Sequence, residues 1–239
     1  MVLGLAAGTA TPSAETPDGG ETAAAIQAAR VGLLTAERVL YSTDQALSAA
    51  AVIVSTVKNG RLVTAELSRI AADIPGARAI IVLDERGRLL HDSYKFPAAS
   101  LDLSDREYFQ RAYSRPGKIV IGATVVGRTS SASFVPIANR IGRYTFVAVI
   151  TPHVLVDVQE FCSDCWSIAL NVDSELLAVF PQTPVLPELL AHIDHLPGNA
   201  IVKYANSVVA VAWVERQIPF TAVAVRGIRQ NARGAVDLN

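Results

Sequence analysis

The chain has 239 residues, of which 51% are hydrophobic and 6% aromatic, with 21 basic against 22 acidic side chains and a net charge of -1. That is enough apolar material for one large domain or two small ones with a proper core. It excludes a nucleic-acid surface, which needs a concentrated basic field, and no segment has the roughly 18 or more apolar residues of a membrane-spanning helix.

Residues 1–22 read as a flexible lead-in, rich in Thr, Pro, Ser and Gly from position 9 onward. Ala23 to Lys58 is predicted as a long helix. Ile26, Leu33, Leu40, Leu47 and Val54 recur every seven residues beside a second line of Ala29, Ala36, Thr43, Ala50 and Val57. A sustained heptad favours a close helix seam. The seam serves either a stalk that forms a homodimer or a helix packed along its own domain. Asn59-Gly60 ends the run, and Leu62 to Ala72 is a second helix stopped by Pro75-Gly76.

Ala77 to Leu83 and Arg88 to Ser93 form a hairpin around Asp84-Glu85-Arg86-Gly87. Ser104 with Glu107 three residues on is a capping-box signal. It predicts a helix from Ser104 with Arg106 in its first turn and Phe109 and Tyr113 on the same face. Pro116-Gly117 ends this helix. Strands follow near 118–126, 132–141 and 144–150, giving an α+β module with a five-stranded antiparallel sheet and helices on one side. Thr151-Pro152 opens a helix towards Phe161. A second, smaller module has strands at Trp166–Val172, Leu176–Phe180, Ile201–Tyr204, Val208–Val214 and Phe220–Val225, with a short helix at Pro187–His195. The expected partition is 23–75 for the N-terminal helices, 76–160 and 161–228 for the two modules, and 229–239 for a tail.

Cys162 and Cys165 are the only cysteines. With His192 and His195 they make a zinc-like set, but the histidine gap of two is shorter than the usual three to five. A local disulfide or two plain thiols is the expectation. His91, Asp92 and Ser133 can be written as a hydrolase triad, but no nucleophile elbow is present. There is also no phosphate loop and no dinucleotide fingerprint, so no enzyme, metal or cofactor is expected. Lysine occurs only at 58, 95, 118 and 203, so arginine, suited to bidentate anion recognition, supplies nearly all positive charge. Arg106, Arg128 and Arg140 are the candidate anion-binding residues, with Tyr108, His91, Tyr94 and Ser133 as possible lining. For each arginine a structural role stands beside the functional one: a solvated turn for Arg128, a salt bridge for Arg140, and for Arg106 a tie between helix mouth and sheet. The expected ligand is a small carboxylate, an amino or organic acid, between the 101–115 helix and the first sheet, with Ile121 and Phe134 as back wall.

Asp105-Arg106-Glu107-Tyr108-Phe109 resembles the Asp-Arg-x-Tyr-Phe motif of Cache domains, the extracytoplasmic sensor modules of bacterial receptors. Ile121-Gly122, Arg128-Thr129-Ser130 and Asn139-Arg140-Ile141 are similar to the elements that follow in that family. The likeness runs from about Ala23 to Ile228 and implies the double-Cache form, with two PAS-like modules after a long N-terminal helix. The chain departs from the pattern where Gly is missing from the hairpins at Asp173-Ser174 and Asn206-Ser207. The resemblance implies a periplasmic ligand-sensing domain of an inner-membrane receptor, tethered by flanking spans and joined to a diguanylate cyclase or histidine kinase output. A dimerising or protein-binding scaffold without a ligand, and a stand-alone cytoplasmic PAS-like regulator, are the alternatives.

Overall fold

The structure, a computed structural model, describes residues 19–128, 132–156, 162, 164–181, 187–194, 200–204, 207–213, 220–226, 229–230 and 236–237. Helix α1 (Gly19–Thr56) runs along both modules. Its heptad faces inward. Leu40, Leu47, Ala36, Thr43 and Ala50 are all completely buried, and the Thr43 hydroxyl donates to the Val39 carbonyl within the helix. Of the two expected uses of the seam, the structure shows packing along the chain's own sheets. The period identifies a buried face without saying what buries it. The outward face of α1 carries Leu34, Tyr41 and Val52. Helix α2 (Gly60–Ala72) begins two residues before the expected start, because the Asn59 side chain accepts from the Arg61 and Leu62 amides.

In the first module β1 (Ala77–Leu83), β2 (Leu89–Asp92), α3 (Glu107–Ser114), β3 (Ile119–Ile121), β4 (Val125–Val126), β5 (Ser133–Ile141) and β6 (Tyr144–Ile150) follow in order. The sheet is antiparallel and ordered β2-β1-β6-β5-β3, with β4 also paired to β5. The strand expected at 118–126 is thus split in two, leaving six strands in place of five. The expected helix from Thr151 is a 3-10 turn over Pro152–Leu155, with no side-chain cap from Thr151; its remainder lies outside the described residues.

The second module contains β7 (Trp166–Asn171), β8 (Leu176–Phe180), α4 (Pro187–Asp194), β9 (Ala200–Tyr204), β10 (Ser207–Trp213) and β11 (Phe220–Arg226), in the order β8-β7-β11-β10-β9. Beyond it Arg229–Gln230 pairs with Val236–Asp237 in the 229–239 tail. One apolar core joins the modules: Ile80, Ile137 and Phe146 of the first share a cluster with Ala169, Leu177 and Phe220 of the second, and α1 contributes Leu40 and Leu47. Strand polarity alternates as pleating requires. Ile80, Val82, Ile137, Phe146 and Ala148 face this shared core, whereas Leu83, Val120, Ala138 and Val147 face the other way, onto α3.

Cys162 and Cys165 are joined as a disulfide. It is buried against Ala25, Ala28 and Ala29 of α1 and Ala224 of β11. Both sulfurs are therefore taken, which removes the zinc alternative. His195 and the His192 side chain lie outside what is described.

Candidate ligand site on the first sheet

Helix α3 does not begin at Ser104. Its N-cap is Arg106, with extended backbone and no side-chain cap bond. Ser104 is occupied elsewhere: its amide donates to the Asp102 carboxylate at 2.9 Å, and its backbone lies against Gly87. A Cβ at Gly87 would come within 2.5 Å of the Ser104 Cα, and Gly87 has φ +79, so only glycine fits there. The turn before α3 is thus pinned onto the β1–β2 hairpin, with the Leu103 amide donating to the Gly87 carbonyl at 2.9 Å. That docking outcompetes the capping box and moves the helix start two residues on.

Tyr108, Phe109 and Ala112 form the buried face of α3. Residues directly opposite on antiparallel strands share a face. Ile81, Val147, Ala138 and Val120 therefore lie in one row across the sheet, and Ala79, Val149 and Pro136 lie in the next. α3 covers the first row, where Val147, Ala138 and Val120 are buried. In the second row Ala79 and Val149 remain half-buried. A Cβ at Gly122 would sit 2.9 Å from Pro136 and 3.0 Å from the Tyr108 Cβ, so glycine there lets Tyr108 approach the floor. Phe134, opposite Val125, continues that floor.

The charged groups stand at its rim. The Arg106 guanidinium donates to the Val126 carbonyl at 3.3 Å. Arg128 pairs with the Asp105 carboxylate and donates to the Asp102 carbonyl. Arg78 donates to the Ser133 carbonyl at 2.8 Å and lies over the Phe134 ring, 5.9 Å from its centroid. Burial pushes the Tyr108 phenol up to about 12, against the opposing pull of Arg106 and Arg128. It is a neutral hydroxyl donor at any physiological pH. The hydrogen bonds from Ser104, with smaller help from Arg88 and Arg128, hold Asp102 below the usual carboxylate range.

Arg106, Tyr108 and Arg128 are therefore brought together, and Ser133 enters through its carbonyl. The other candidates lie apart. Arg140 is stacked on Tyr113, 3.8 Å from the ring centroid, about 10 Å along α3 from Arg106 by helix rise. Among the described residues it has no acidic partner. His91 pairs with Val82, and so shares the face covered by α1 and α2. Desolvation there holds its imidazole below the ordinary value. A β-bulge between Val82 and Leu83 causes the reversal. Tyr94 is 86% exposed. Ile121, expected as back wall beside Phe134, faces the shared core instead. Sequence reasoning missed Arg78, Ala79 and Val149, whose grouping emerges only when the registers of β1, β5 and β6 are read together.

No family model and no curated relative matches the chain by sequence. Solved structures do. The extracellular domain assigned to histidine kinase rpHK1S-Z16 aligns with a TM-score of 0.71 at 19% identity, over 87% of this chain and 94% of that one. The ligand-binding domain of Campylobacter jejuni chemoreceptor Tlp3, in complex with L-valine, gives 0.61 at 14% identity over 89% and 98%. A domain of a sensory box/GGDEF family protein from Vibrio parahaemolyticus gives 0.59 at 12% over 85% and 97%. The chain therefore has the two-module fold that these sensory domains share.

Proposed function

We propose that this chain is the extracytoplasmic ligand-sensing domain of a membrane-tethered bacterial receptor, itself non-catalytic, and that it binds a small carboxylate in the first module. The observation that carries this reading is the convergence of Arg78, Arg106 and Arg128 on a half-open aliphatic floor beside a neutral, buried phenol. A guanidinium offers a planar fork to a carboxylate, and the apolar floor accepts its alkyl part. Sensory domains of the same fold that bind valine and isoleucine support the reading, as does the disulfide, which suits an oxidising compartment. A homodimer through α1 belongs to the same proposal, using the outward stripe Leu34, Tyr41 and Val52 in place of the heptad.

The test is calorimetry of small acids on the wild-type chain and on Arg106→Ala, with folding checked by circular dichroism. Leaving a bound carboxylate without its charged partner costs about 2–5 kcal/mol, so affinity falls about 30-fold or more. A ligand that binds both proteins equally moves the site elsewhere.

A further inference from the structure

We infer that the occupant of this site is an aliphatic carboxylate that carries no ammonium group, and that the site rejects the amino acid of the same carbon skeleton. The inference rests on the proposed carboxylate site and narrows its ligand class.

An α-amino acid held by its carboxylate brings a cation one carbon away from that carboxylate. In a partly desolvated site the cation needs an acidic side chain or free carbonyl oxygens around it. Among the described residues the rim supplies neither. Arg78 and Arg106 both stand beside the floor, and among the described residues neither has an ion-pair partner; each donates instead to a neutral carbonyl. Those two carbonyls, of Ser133 and Val126, are the oxygens an ammonium would otherwise use, and they already accept from guanidinium groups.

The nearby acids each have a partner already. Asp105 is paired with Arg128. Asp102 accepts from the Ser104 amide. Asp92 lies directly opposite Ile81 on the outer strand β2, at the edge of the floor, two strands and about 10 Å from the line of Val149. Its carboxylate accepts from the Tyr94 amide at 2.8 Å. An ammonium at the arginine end of the floor, over Val149, would therefore meet guanidinium charge before it met Asp92, and like charges repel where solvent is thinned. A carboxylate meets the same field as attraction. Ala79, Ile81 and Val149, all half-buried, leave an aliphatic surface for the rest of the molecule.

The experiment titrates the chain with matched ligands on one skeleton: 4-methylpentanoate, 4-methyl-2-oxopentanoate, leucine and 4-methylpentanamide. The acids are expected to bind at least about tenfold more tightly than leucine and than the amide, with binding lost in Arg106→Ala. Leucine binding as tightly as the acids overturns the inference. If that binding then falls in Asp92→Asn and in Arg106→Ala, the carboxylate site stands and Asp92 is the amine's partner. An amide that binds like the acid also overturns it, since charge is then not read. If none of the four binds, or if Arg106→Ala binds them unchanged, the proposed site fails along with the inference.

Discussion

The two modules repeat one topology and differ in chemistry. Each begins with a hairpin, continues through a helix, and returns with three strands, and both sheets run second-first-last-fourth-third apart from the split strand of the first. In the first module the helix opens on Arg106 and is pinned beside a half-open floor. In the second the matching helix opens on Pro187-Glu188, with no arginine, and all six residues of β7 are buried. Alternating apolar residues suffice to specify the strands. What distinguishes the two modules is a few side chains at the start of one helix and the half-buried row of sheet beside it.

The strongest way to break this contrast is to show that the modules are independent. The shared core says they are not. Leu47 is completely buried in the cluster that contains residues of both sheets. Leu47→Ala is expected to cost about 2–5 kcal/mol and to lower a single unfolding transition. Calorimetry resolving two transitions, only one of them shifted, would make the modules separate folding units.

The disulfide belongs to the second module and anchors the start of α1. It closes a loop between residues only three apart in sequence, so the chain-entropy contribution is about 2 kcal/mol or less. Replacing both cysteines by serine should reduce amide protection mainly at Ala25–Ala29 and leave ligand binding in the first module unchanged. A variant that loses the ligand as well would tie the two modules more closely than the packing implies.

Much of this organisation was legible in the sequence. The strands were, apart from the one at 118–126 that is split in two, because alternation and turn residues agree with the fold at the β1–β2 and β7–β8 hairpins. The start of α3 was not, because Ser104 satisfies the capping pattern while its backbone is held by Gly87, a contact between distant segments. His91 was placed on the wrong face because one bulged residue reverses a strand's pleat. Arg140 was grouped with Arg106 because sequence lists charges without saying at which end of a helix they lie. The α1 heptad gave the buried face correctly and left its partner open between a second copy and the chain's own domain, and it is the second that buries it.

A more local test concerns the junction. Arg111, on α3, reaches across to the β7–β8 hairpin of the second module, pairing with Asp173 and, at 3.5 Å, Glu175, while also bonding Glu107 at 2.6 Å. Burial works to lower its affinity for the proton, but the Glu107 hydrogen bond and the three carboxylates outweigh that and hold it above the ordinary range. With the partners about half exposed, Arg111→Ala should cost about 1 kcal/mol, and molar salt should erase most of the difference. The informative reading is the ligand response. If α3 carries the signal to the second module, the amide-exchange change that ligand produces in Leu176–Phe180 should shrink in the variant, while affinity stays within about threefold. An undiminished change would leave the shared core as the only route.

The smallest effect, and the most specific to the first module, is the titration of Tyr108. Its phenol lies at about 12 because burial disfavours the phenolate, whereas an unfolded tyrosine titrates near 10. The unfolded chain thus releases this proton first. The contribution to stability is fully present below pH 10, declines as pH rises above 10 and is lost by about pH 12, with a limiting slope of about 1.4 kcal/mol per unit. In a near-ultraviolet titration of the six tyrosines, Tyr108→Phe should delete the last step. Arg106 opposes the upward shift, so Arg106→Ala should move that last step higher still. A last step that survives in Tyr108→Phe would assign it to another tyrosine. One that does not move in Arg106→Ala would separate the phenol from the arginine, and with it the pairing of the two at the floor of the site.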